Sequence, residues 1–166
     1  MTLLLGDLQT PLPLTRSVAP AQVLAFSPRQ GVRNYQQIAL ALANRDRARY
    51  GRSPVQADRL LTQAAQRHAE DMLQRNYFSH YTPEGRTPSD RFAAVGGQGG
   101  AAENIAMLDA PYRAQADIAS QKLPYFERMW MNSPGHRANL LNGQYGRFGF
   151  GVAASRDRIY VVQMFR

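Results

Sequence analysis

An α+β domain, with helices packed on an antiparallel sheet, is the fold class this sequence predicts. Three observations carry the prediction. Apolar residues recur at helical spacing between Val32 and Asn132, residues 148–165 read as a β-hairpin, and no strand–helix–strand alternation joins the two regions.

Residues 1–30 hold Pro11, Pro13, Pro20 and Pro28, which block a long helix and predict an extended arm ahead of a folded domain at 31–166. From Val32 the pattern turns helical. Tyr35, Ile38, Ala39, Leu42 and Ala43 follow at the spacing of an amphipathic helix that ends near Tyr50-Gly51. A second helix is predicted from about Asp58 to Arg75, with Leu61, Ala64, Ala65, His68 and Met72 on its apolar face. His68 in that setting reads as a satisfied core histidine. Thr87-Pro88-Ser89-Asp90 supplies an N-cap, an N1 proline and a capping-box acid for a short helix closing at Gly96-Gly97. The glycines at 96–100 follow no strand and precede no Lys-Ser/Thr, so a flexible loop is expected rather than a phosphate cradle.

A further helix is placed over about Leu123 to Asn132, with Phe126, Met129 and Trp130 on one side and Trp130 as a core anchor. Ser133 is the expected N-cap and Pro134 the first residue of the next short helix, which puts His136 among unpaired backbone N–H groups. The positive end of that helix disfavours imidazolium, so His136 is expected to be neutral near pH 7. Phe148, Phe150 and Val152 alternate with Gly149 and Gly151; after a turn at 154–157 comes the apolar run Ile159 to Phe165. Glycines on one strand face predict that another backbone approaches closely there.

Length and composition fit one globular domain: 166 residues, 44% hydrophobic and 19% charged. Cysteine is absent, which excludes disulfides and thiolate metal sites. The formal charge is +8, and every basic residue but Lys122 is an arginine. Attraction to nucleic acid, anionic lipid or acidic wall polymer is one reading of that charge. A solvated surface is the preferred one, because the arginines are scattered and no basic run of five occurs. Nucleic acid is therefore disfavoured as a partner. No segment reaches the roughly 18 consecutive apolar residues of a membrane span. The start, Met1 to Asp7, lacks a basic region and a long enough apolar run for a signal peptide, which leaves a trimmed export signal and an internal location both open.

Asn76-Tyr77-Phe78-Ser79-His80, Ala102-Glu103-Asn104-Ile105 and Trp130 to Leu141 stand in an order that resembles the CAP superfamily (the SCP or pathogenesis-related-1 type domain) in its cysteine-free bacterial form. Asn44-Arg45-Asp46-Arg47 and Tyr160 to Phe165 also fit, so the resemblance spans about residues 34 to 166. It implies a three-layer α-β-α sandwich with a mainly antiparallel central sheet, an extracellular or cell-envelope location, and a cleft lined by two histidines and two acids. Matched by motif, the histidines are His80 and His136 and the first acid is Glu103. The second acid sits three residues after the helix tryptophan in the wider family, and here that position is Ser133. Glu127 lies six residues before Ser133 and faces elsewhere on the helix. The set is thereby reduced to His80, Glu103 and His136, with Ser133 and Asn104 as further cleft residues.

Two imidazoles and one carboxylate suggest a weak, exchangeable zinc site with His80 and His136 as ligands and Glu103 as a less favoured third. The alternative is structural: Glu103 accepts hydrogen bonds from one or both histidines and fixes the elements around the cleft. Ser133 is better explained as a cap than as a nucleophile, and Ser79 has no visible oxyanion device. Arg137 and Asn139 are expected to brace the turn bearing His136. Three function classes follow. The leading one is an exported, monomeric binding module for a small apolar or lipid-like ligand, a cell-wall component or a protein partner. The second is a metal-dependent, protease-like hydrolase with Glu103, His80 and His136 as candidate catalytic residues. The third is a polyanion-binding surface.

Overall fold

The computed structural model describes residues 28–109 and 118–166. The expected arm lies outside the described residues up to position 27. Its last three positions instead begin α1, Pro28–Arg49, which starts earlier than the apolar periodicity suggested. A proline is tolerated in the first turn of a helix, so Pro28 does not block the start.

The remaining helices are α2 (Arg59–Arg75), α3 (Pro88–Ala93), α4 (Leu123–Asn132) and α5 (Pro134–Leu140), with a π-helical turn at Ile118–Lys122 leading into α4. Asp58 caps α2 by accepting from the backbone N–H groups of Leu60 and Leu61. Asn76 ends it in the left-handed region at φ 54°. Thr87 and Asp90 form the expected reciprocal capping box on α3.

Four strands form one sheet: β1 (Gln56–Ala57), β2 (Ala102–Asp109), β3 (Arg147–Ala154) and β4 (Arg158–Phe165), in the order β1-β3-β4-β2. The hairpin of β3 and β4 is the one predicted. β4 also pairs antiparallel with β2 over its whole length, Ala102 opposite Phe165 and Asp109 opposite Arg158. The short β1 adds in parallel beside β3. The sequence reading did not assign β1 or β2 as strands; β1 is too short to show a period, and β2 reads as a site motif before it reads as a strand.

Alternation along the strands feeds two cores. Tyr160, Val162 and Met164 join α2 and Phe92 on one face. Val161 and Phe165, with Phe148 and Phe150, join α1, α4 and Leu140 of α5 on the other. Helices therefore cover both faces, giving the α-β-α sandwich. Gly149 and Gly151 make the first of these interfaces possible: a Cβ on either would lie 2.3 Å from backbone atoms of Leu61 or Ala65 in α2. The chain uses its missing side chains to seat a helix on the sheet. Trp130 is buried and donates its indole N–H to the Ile105 carbonyl at 3.1 Å.

Not all the arginine is surface. Arg47 is fully buried and donates to the carbonyls of Ser53, Leu140, Asn142 and Tyr145. One guanidinium thus ties α1 to the segment between α5 and β3, satisfying carbonyls that no sheet or helix reaches.

Candidate functional site

β2 brings Glu103 to the sheet end where the segment after α2 and the start of α5 converge. Glu103 is buried, and its carboxylate is held from two sides. His80 Nδ1 donates to Oε1 at 2.9 Å, and Arg91 Nη2 donates to Oε2 at 2.5 Å. His68 Nε2 stands 3.8 Å from Oε1 but is committed to the Ser79 carbonyl at 3.1 Å. Arg91 also donates through Nη1 to the carbonyls of His80 and Arg86, so α3 anchors the segment carrying His80. Of the two candidate histidines, His80 alone hydrogen-bonds Glu103; the second imidazole near the carboxylate is His68, buried as expected for a core histidine.

His136 makes no hydrogen bond or ion pair with Glu103 among the described residues. Its Nδ1 shares a 2.8 Å hydrogen bond with Ser133 Oγ. That corrects the reading of Ser133 as an N-cap: it occupies the position with extended backbone, φ −100° and ψ 120°, but its side chain accepts nothing from the α5 backbone. The hydroxyl orients the imidazole instead. His136 is shifted below the usual histidine value, first by burial and then by repulsion from His80, so it is neutral at pH 7. The direction is the expected one; the causes are burial and a neighbouring imidazole.

Behind these side chains runs an amide lattice. Asn139 Nδ2 donates to the Glu103 carbonyl and to Asn104 Oδ1, and Asn104 Nδ2 donates to the His136 carbonyl at 3.1 Å. Asn104 Nδ2 also reaches Gln163 Oε1 at 3.3 Å, and Gln163 Nε2 donates to Glu127 Oε2 at 2.8 Å. Asn139 therefore braces the histidine-bearing turn, as expected. Asn104 lies wholly beneath the cleft, with no exposure. Arg137 packs its guanidinium over the Tyr50 ring at 4.7 Å, joining α5 to the end of α1. Glu127 does face away from the cleft, into the core. Burial there raises its carboxyl to about 8. Sequence reasoning missed Arg91, because an arginine directly after a capping box has no local mark of burial.

The cleft itself is a hollow of about 610 Å³. Phe78, Tyr81, Ile105, Met107 and Met129 give it apolar walls, and His80, His136 and Ser133 form its polar part. Phe78 and Tyr81 remain 48% and 59% exposed, so two aromatic rings stand open to solvent at its rim. Each histidine has Nδ1 engaged and no described residue on Nε2. Both Glu103 oxygens are already bound. Among the described residues no three His, Cys, Asp or Glu side chains are grouped to hold a metal ion. The donor set falls short of the three protein ligands that a hydrolytic zinc centre uses.

A helix-covered antiparallel sheet with a His–Glu pair and a second histidine across an apolar cleft defines a CAP-type domain. The chain belongs to the CAP family, the cysteine-rich secretory protein family, which residues 40–165 match. This member has no cysteine, so its fold rests on packing and on polar ties such as Arg47 rather than on disulfides. It is 33% identical over 147 residues to the uncharacterized protein YkwD of Bacillus subtilis, covering 85% of this chain and 52% of that protein. Among solved structures it resembles an extracellular protein containing an SCP domain from Bacillus anthracis, at TM-score 0.64 and 32% identity over 82% of this chain and 41% of that one. It also resembles an outer surface protein of Borrelia burgdorferi, at TM-score 0.65 and 19% identity over 78% and 90% of the two chains. The chain spans about half the length of the curated relative.

Proposed function

We propose that this domain works outside the cell or at its envelope as a binding module, and that the cleft takes an apolar, lipid-like ligand. The observation that carries this reading is the pairing of a largely apolar hollow with the exposed rings of Phe78 and Tyr81 at its mouth. Exposed aromatics beside a concave apolar wall are unusual for a surface that meets only water. His136, neutral and held by Ser133, offers one polar contact for a headgroup. The solved relatives named as extracellular and outer-surface proteins support the location.

The test is binding of fatty acid, sterol and phospholipid panels to delipidated protein, compared with a Phe78→Ala/Tyr81→Ala variant. Saturable binding by the wild type, weakened about tenfold in the variant, is expected from losing two partly buried aromatic contacts. Equal binding by both, or none by either, refutes the reading. Zinc is proposed only as a weak contact to the two free Nε2 atoms of His80 and His136, with no reaction step assigned to it. Calorimetric heat from the wild type that is absent in a His80→Ala/His136→Ala variant is the expected result; equal heat from both ends that proposal.

A further inference from the structure

We propose that a second hollow, on the α2–α3 side of Glu103, binds a small monocarboxylate with a compact apolar body. This hollow measures about 260 Å³. It shares no lining residue with the apolar cleft; Arg91 and His68 join the two through their hydrogen bonds to the His80 and Ser79 carbonyls.

Its walls supply both halves of such a ligand's recognition. Ala64, Ala94 and Val95 form the apolar part, while Arg67, Arg75, Arg86 and Arg91 bring four guanidiniums. Two of the four are spoken for. Arg75 is paired with both Asp71 and Glu84, the acids in the same wall. Arg91 is paired with Glu103, yet its buried Nε has no hydrogen-bond partner among the described residues. A buried donor left unpaired is costly and calls for an acceptor. Arg67 and Arg86, exposed at the rim, have no side-chain hydrogen bond or ion pair with any described residue.

Charge then selects the ligand class. Arg75 answers Asp71 and Glu84, Arg91 answers Glu103, and Asp90 lies within electrostatic reach of Arg86 and Arg91. His68, also in the wall, adds no charge at pH 7, because burial lowers it below the ordinary histidine range. Tyr77, which donates to Asp71, is likewise neutral there. With these acids counted the surplus of positive charge is small, which disfavours a dianion, while the forks of Arg67 and Arg86, in no ion pair with a described residue, suit a single carboxylate. The planar forks of Arg67 and Arg86 match carboxylate geometry, and the alanine and valine walls accept a short hydrocarbon body.

The experiment is calorimetric titration of the full chain with hexanoate, hexanamide and inorganic phosphate, repeated on an Arg67→Gln/Arg86→Gln variant whose fold is checked by circular dichroism. Hexanoate is expected to bind, with hexanamide and phosphate each about tenfold weaker or worse, and with about a tenfold loss in the double variant. Phe78→Ala/Tyr81→Ala protein should bind hexanoate as the wild type does. The proposal is overturned by absence of hexanoate binding, by hexanamide or phosphate binding as tightly, by full binding in the arginine variant, or by a loss confined to the aromatic variant. That last result would place hexanoate in the apolar cleft, so the two readings fail separately.

Discussion

Glu127 makes this protein's stability depend on pH in a direction opposite to that of its buried histidines. The side chain is 1% exposed; one oxygen accepts from Gln163 and the other has no hydrogen-bond partner among the described residues. Burial raises the carboxyl from 4.5 to about 8, with Asp46 adding to the shift and Gln163 and Arg45 opposing it. A pKa raised on folding means that the neutral form is preferred in the native state. Its stabilising effect is complete below pH 4.5 and is lost as pH rises through about 8. At pH 7 the unfolded chain ionises this group while the folded one does not. The gap of about 2.5 pH units at 1.36 kcal/mol each makes the loss about 3 kcal/mol. Glu127→Gln preserves shape and an acceptor for Gln163 but cannot ionise. Urea unfolding of both proteins from pH 5 to 9 isolates the effect, since His68 and His136 titrate alike in each and cancel in the difference. The variant should be about 3 kcal/mol more stable at pH 7, with the difference growing by about 1.4 kcal/mol per pH unit up to about 8. A difference that stays flat across this range, or a variant less stable at pH 7, refutes the argument from burial.

Three further outcomes follow from the packing and the site. Gly151→Ala places a Cβ 2.3 Å from the α2 backbone and should cost about 3 kcal/mol or more by thermal unfolding; a neutral result would mean that α2 does not lie on the glycine stripe. Glu103→Gln strips the charge partner from Arg91, which is itself only 9% exposed, and should destabilise by about 3 kcal/mol in urea; a loss below about 1 kcal/mol would show that the pair is hydrated. Ser133→Ala should cost under about 0.5 kcal/mol, since no cap is lost, while shifting the tautomer balance of His136 in nitrogen NMR; a loss of about 1 kcal/mol with unchanged tautomers would restore the capping role.

Much of the architecture is written locally. The capping box at Thr87 and Asp90, the period of α2 and the alternating glycines of β3 each involve residues within a few positions of one another, so spacing alone reveals them. The motifs around His80, Glu103 and His136 also fixed the family before any geometry was known. The partners of those residues could not be read this way. Arg91 meets Glu103 across 12 positions, Arg47 reaches the Leu140 carbonyl across 93, and Ser133 chose an imidazole over the backbone it was placed to cap. Such choices turn on which polar groups are left without water once the helices close on the sheet, and that desolvation exists only in the folded molecule. Sequence alone determined the helices, the C-terminal hairpin and the family they build; tertiary structure added β1 and β2 to the sheet and decided where each buried charge is answered, and so which imidazole nitrogens and which guanidiniums remain free to bind.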